Sequence, residues 1–340
     1  MLNQLFVDEI LERFQSIGVS DSKTYEVGEI LFTVDYFGFG EQDNFSKAIS
    51  HLVSDETDGE FYIYVSDMEN GGLNLPKPSW DWDELDQNGF IPTVDSTRFV
   101  ARFMSWQNCF YLVDLVKRRA FFWIKDYREM PEWERSFPFR DIFHHVFNSL
   151  DDYAIVHAAA VGNVFGGVLM PGRGGSGKST AALSCLDSDL LYAGDDLVLV
   201  NFKTQYIYSL YNVAKLEENH ISIFPKLRPH IYNAEALPKE KAQIFLNDFW
   251  SEKMAIKMSF LGVVLPKYLG SEDTSFKESN VAKALMALAP SSMGLLKTDV
   301  SYLNKLSRLL KDKKVMELST GKDLKQIPES INIIIKILND

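Results

Sequence analysis

Apolar and polar positions alternate through the first 150 residues in a way that predicts strands. The segments GEILFTVDYF (28–37), EFYIYVSDM (60–68), RFVARFMSW (98–106), CFYLVDLV (109–116) and RAFFWIKDY (119–127) each carry this pattern. The basic patch Lys117–Arg119 is expected to turn between the last two. Two helices frame them. MLNQLFVDEILERF places Leu2, Leu5, Phe6, Ile10, Leu11 and Phe14 on one side, and SFPFRDIFHHVFNSL (136–150) turns Phe139, Ile142, Phe143, Val146 and Phe147 inward. Between the strands, PKPSWDWDELDQNGFIP (76–92) mixes proline, acids and tryptophan. It reads as a solvated connector anchored by its two tryptophans.

The pattern changes near residue 150. AIVHAAAV (154–161) and GGVLMP (166–171) predict two strands joined by a turn around Gly162–Asn163, followed by a helix over about 178–187. LLYAGDDLVLV (190–200) reads as a strand pair, and YIYSLYN (206–212) and AIKMSFLGVVLP (255–266) as single strands. The tail is expected to be helical: SNVAKALMALA, DVSYLNKLSRLLKD and PESINIIIKIL. The expectation is an α/β chain with an α+β domain over 1–150 and a second domain over 151–340.

Composition narrows the function classes. The chain has 340 residues, 46% of them hydrophobic and 24% charged, as in an ordinary globular protein. A net charge of −12 argues against nucleic acid as the main partner. The two cysteines, Cys109 and Cys185, are too far apart for a disulfide framework or a metal knuckle; Cys185 is expected in the core. The N-terminus lacks a basic region before its apolar residues, and no apolar run approaches the ~20 residues of a membrane span. A cytoplasmic protein is expected, with no membrane partner.

The decisive stretch is VLMPGRGGSGKSTAALSCL (168–186). Gly172 to Ser179 fit G-x-x-x-x-G-K-[ST], between an apolar strand and a helix-forming run. Glycines at 172, 174, 175 and 177, with Ser176 among them, let backbone N–H groups turn inward onto phosphate oxygens. The start of the following helix faces the same anion. Lys178 is expected at the β/γ-phosphates, Ser179 on Mg²⁺, and Thr180 on a phosphate oxygen, so ATP and Mg²⁺ are the expected cofactors. The pair Asp195-Asp196 follows Lys178 by 17 residues. One helix out and one strand back would bring it beside the γ-phosphate, one carboxylate holding Mg²⁺ and the other accepting a hydroxyl proton. His157 precedes Gly172 by 15 residues, on the strand expected beside the loop strand. His144 and His145 are adjacent on a helix and diverge. His51, His220 and His230 lack partners at ligand spacing and are expected at the surface or at caps.

Together, His157, the loop and Asp195-Asp196 resemble the catalytic core of the HPr kinase/phosphorylase family, over about 151–200. The resemblance implies a P-loop kinase core of the HPr kinase/PEP carboxykinase type. It implies His157 as the active-site histidine, Asp195 as the metal-side carboxylate and Asp196 as the base that deprotonates a serine, with Lys178 on the transferred phosphate. Elsewhere, YSLYNVAKL, KEKAQIFL, MSFLGVVLPK, LMALAPSSMGLL, IPESI, RAFFWIKDY and PFRDIFHHVF resemble the branch that includes lasso-peptide precursor serine kinases. The Glu-x-Arg-Gly-x-Gly segment of true HPr kinases is missing after the aspartate pair, so neither HPr nor the reverse reaction is implied. Lys215, in YNVAKL, is a candidate replacement cation, with an exposed strand-end lysine as the alternative. The expected reaction is ATP- and Mg²⁺-dependent transfer to a hydroxyl, with serine the expected one, of a peptide, protein or small molecule. A metabolite kinase of the shikimate or nucleoside-monophosphate type, and a nucleotide-binding regulatory module without transfer chemistry, are the alternatives. The chain shows no LSGGQ or N-K-x-D signature and no His/Lys metal ligands of a carboxykinase. The first domain could bind the acceptor or dimerise, and an oligomer is possible.

Overall fold

The computed structural model describes residues 2, 4–39, 45–298 and 300–340. It is a mixed α/β protein in two compact units. One comprises Met1–Lys47 and Leu52–Ser149, the other Ala48–His51 and Leu150–Asp340.

The first unit is built on strands β1 (Asp21–Val27), β2 (Ile30–Phe37), β3 (Phe61–Asp67), β4 (Phe99–Met104), β5 (Cys109–Asp114) and β6 (Arg119–Ile124). Their order is β1-β2-β3-β6-β5-β4, parallel across β2-β3-β6 and antiparallel elsewhere. Helix α1 (Gln4–Ser16) covers one face through Phe6, Val7, Ile10 and Phe14, which pack with Phe37, Phe110 and Phe121. After the four-residue α2 (Glu132–Arg135), α3 (Arg140–Asn148) sets Phe143 against Phe32 at 5.1 Å between ring centroids. With both faces covered, β5 is buried at every position, which is why it reads as a continuous apolar run.

Two expectations for this unit need correction, and one strand was missed. Leu5 is exposed and Val7 takes its place, because α1 begins at Gln4 and its inward stripe follows positions 6, 7, 10 and 14. Trp80 is buried but Trp82 is exposed, touching Phe103 only edge-on, so one tryptophan anchors the 76–92 connector. Strand β1, DSKTYEV, was not predicted; its first three residues are exposed and polar, leaving no apolar run to read.

The second unit contains β7 (Tyr153–Val156), β8 (Ala158–Asn163), β9 (Gly166–Pro171), α4 (Lys178–Ser184), β10 (Leu191–Gly194), β11 (Val198–Asn201), β12 (Tyr206–Ser209), β13 (Val213–Leu216), β14 (Ala242–Phe245), β15 (Lys257–Tyr268), β16 (Ser275–Glu278), α5 (Val281–Leu296), α6 (Tyr302–Leu310), β17 (Lys314–Thr320) and α7 (Gln326–Asn339). The main sheet runs β10-β8-β9-β15-β12-β11-β7, and β17 joins it through β15. The long β15 is shared. Its first residues pair with β12, and its later ones run parallel to β9 and β17. Helices α4 and α7 pack on β8 and β9 through Ala181, Ala182, Ile331, Ile334 and Ile335.

AIVHAAAV is not one strand. It breaks at His157, since β7 pairs with β11 while β8 pairs with β9 and β10. Nor is the tail purely helical: β17 lies within it and enters the main sheet. Cys185 is buried in the core and unpaired. His51 is not a surface group. Its Nε2 lies 2.7 Å from Ser209 Oγ, and burial lowers its pKa to about 3. No helix among the described residues is long and apolar enough to cross a membrane.

Candidate active site

Sheet topology gathers the site. Strand β8 is antiparallel to both β9 and β10. So β9 and β10 run the same way and end at the edge where β8 begins. His157 immediately precedes β8, the Gly172–Ser179 loop follows β9, and Asp195-Asp196 follow β10. Three segments distant in sequence thus reach one corner.

The loop has the backbone its glycines permit. Gly177 caps α4 with φ +96°, a left-handed conformation that disfavours side chains. A Cβ on Gly172 would lie 2.4 Å from Ser176 Oγ, so the loop closes over that position only because it is glycine. Gly174 and Gly175 are at the exposed tip, where a Cβ would meet nothing within 4 Å. Ser176 Oγ is buried without a hydrogen-bond partner among the described residues. Thr180 is half-buried on the first turn of α4.

Lys178 is only 6% exposed. Its Nζ donates to Gly172 O at 2.5 Å and lies 3.4 Å from His157 Nε2. Burial lowers its pKa, opposed by the charges of Asp196 and Asp195. His157 Nε2 is also 3.2 Å from Asp196 Oδ1. The imidazole thus lies between the Asp196 carboxylate and Lys178, and its Nδ1 is buried with no hydrogen-bond partner among the described residues. The His157 backbone N–H donates to Ser292 Oγ on α5 at 2.9 Å, which fixes the break between β7 and β8.

The two aspartates differ. Ser179 Oγ donates to Asp195 Oδ1 at 3.1 Å, and Lys215 N lies 3.5 Å from Asp195 Oδ2. Burial, then the adjacent Asp196 charge, raises the Asp195 pKa to about 7. Burial acts on Asp196 in the same direction. The His157 hydrogen bond, Lys215 and Lys178 outweigh it and hold that carboxyl well below its ordinary value. One proton near neutrality therefore rests on Asp195, while Asp196 stays ionised. Ser179 and Asp195 form a hard-oxygen donor pair, a set that fits Mg²⁺ completed by phosphate oxygens and water.

Lys215 is buried, not an exposed strand end, and its Nζ is 4.0 Å from Asp196 Oδ2. It comes from the β13–β14 ribbon, in which it is paired with Gln243. Ala214, Leu216, Ala242 and Ile244 of this ribbon face the core, so Lys215 and Gln243 share the opposite face. Gln243 was missed in the sequence. It is 1% exposed, with neither side-chain amide atom paired among the described residues. The only signal was its polarity within an otherwise apolar AQIF.

A cavity of about 810 Å³ lies away from this corner, at the far end of α4, lined by Leu183, Ile223, Lys226, Trp250 and Pro328 among others. None of the residues just described lines it. Comparison of the chain with protein-family models and with curated proteins finds no match.

Proposed function

We propose that the second unit is a P-loop kinase core of the HPr kinase type, transferring the γ-phosphate of ATP to a hydroxyl group. The observation that carries this reading is the convergence of Lys178, His157, Asp196, Asp195 and Ser179 at one sheet edge. The loop N–H groups and Lys178 hold the phosphates. Ser179 and Asp195 hold Mg²⁺, which supplies charge neutralisation on the phosphates. Asp196, ionised and oriented by His157, accepts the proton of the attacking hydroxyl. Lys215 adds positive charge on the acceptor side of the same centre. The position of His157 against Asp196, and the antiparallel β8 beside β9, favour this reading over a metabolite kinase of the shikimate type.

The test is an acceptor screen. Purified protein with ATP and Mg²⁺ is incubated with serine peptides, free serine, sugars and HPr, and products are read by mass spectrometry. An acceptor gaining one phosphate, with ADP formed and the product absent in Asp196→Asn, is expected. ATP binding without transfer to any acceptor would sink the kinase reading in favour of a regulatory nucleotide module.

A further inference from the structure

This inference rests on the nucleotide reading above and concerns the end of the nucleotide remote from the chemistry. Strand β9 has two flanks. On one lie β8 and β10, whose ends carry His157 and Asp195-Asp196. The reacting phosphate belongs there. The other flank is left for the rest of the nucleotide; there β15 and β17 run parallel to β9 and end at the same edge.

Two adjacent apolar side chains stand exposed at that end, Tyr268 at 58% and Leu269 at 56%. The Tyr268 backbone comes close to the loop: a Cβ placed on Gly177 would lie 4.0 Å from Tyr268 N and 3.9 Å from Thr320 Oγ1, the end of the neighbouring β17. The rim behind them is braced. Gly321 N donates to Thr274 Oγ1 at 2.9 Å, Lys322 N to Ser271 O at 3.0 Å, and Lys322 Nζ to Glu272 Oε1 at 2.5 Å. An aromatic and an aliphatic side chain on a tied rim, one strand from a phosphate-binding loop, form a platform for a flat heterocycle.

We propose that Tyr268 and Leu269 form the nucleobase subsite, with Tyr268 stacking on the base. Stacking acts on the base alone, so the test compares ATP with inorganic tripolyphosphate, which fills the loop without a base. Dissociation constants are measured by calorimetry for wild type, Tyr268→Ala, Tyr268→Phe and Lys178→Met. Tyr268→Ala is expected to weaken ATP by about tenfold and leave tripolyphosphate within about twofold, with Tyr268→Phe close to wild type. Unchanged ATP affinity in Tyr268→Ala, or equal losses for both ligands, would overturn the subsite and leave the loop reading standing. Failure of the wild type to bind either ligand, or binding indifferent to Lys178→Met, would overturn the nucleotide reading and the subsite with it.

Discussion

Each unit buries aspartates beside basic side chains, and these are treated in opposite ways; Asp67 of the first unit stands apart, raised by burial and held by Asn70 and the Tyr127 N–H. In the first unit Asp114 receives a two-pronged contact from Arg98, at 2.9 and 2.8 Å. Asp141 is held by Arg102 at 2.6 Å and Arg140 at 3.2 Å. Burial would raise both carboxyls, yet their arginines hold both below the ordinary value. In the second unit two aspartates are consecutive, and Asp196 faces His157 at 3.2 Å and Lys215 at 4.0 Å. Burial and mutual repulsion drive the Asp195 carboxyl up to about 7. The first arrangement neutralises charge in place, with planar forks fitted to carboxylates. The second leaves the carboxylates without a fitted arginine, which on the proposed reading leaves room for phosphates and metal. A buried carboxylate therefore marks chemistry only when its partners leave it unfinished.

The largest expected effect breaks that contrast directly. Asp196→Asn should lower the transfer rate by about 10³-fold or more, with ATP affinity within a few-fold of wild type and no loss of melting temperature. Retained turnover would remove Asp196 as the base. Asp141→Asn should do the reverse. It leaves Arg102 without its carboxylate, while Arg140 keeps Glu134 at 3.0 Å, and about 3 kcal/mol of first-unit stability should go with it. Urea unfolding followed by tryptophan fluorescence measures this; a loss under 1 kcal/mol would mean the pair is not structural.

The same contrast decides what was legible beforehand. The loop, the two aspartates and His157 could be read because their spacing obeys a local rule of strand, turn and helix. Their convergence follows from β8 running against both neighbours, which alternating apolar runs suggest without fixing. Tyr268 and Gln243 could not be read as site residues. Each lies inside a strand whose pattern speaks only of burial, and their neighbours come from pairings 52 and 28 residues away, Tyr268 with Thr320 and Gln243 with Lys215. Strand β17 was lost in an apolar tail for the same reason: seven residues between two helices announce a strand only once β15 is there to pair with.

A smaller effect sharpens the comparison through pH. In the metal-free protein the Asp195 carboxyl titrates near 7, above its unfolded value of 3.8. Between those values the folded chain binds more protons than the unfolded chain, so stability falls as pH rises through that window. Asp195→Asn removes the dependence. At pH 8 the variant should be more stable than metal-free wild type by on the order of 2 kcal/mol, with the gap closing toward pH 4. Mg²⁺ should stabilise the wild type at pH 8 and not the variant. Thermal melts across pH 4–8 measure this, and parallel curves would show that Asp195 ionises like an ordinary carboxylate.

The smallest effect tests whether an unpaired polar group beside Lys215 is held at a cost. The Gln243 amide is buried and unpaired among the described residues, next to a lysine already committed to the aspartates. A buried amide without partners costs about 1–3 kcal/mol, and an apolar group of similar shape does not. Gln243→Met keeps the length of the side chain and removes its donor and acceptor. Its urea midpoint should therefore rise at unchanged slope, by about 1 kcal/mol of stability, while transfer to the acceptor slows. The Arg102–Asp141 pair of the first unit offers no such gain, since both partners there already hold a charged hydrogen bond. A lower midpoint for Gln243→Met would mean that the amide is satisfied in solution. The ribbon face would then belong with the closed pairs and not with the unfinished site.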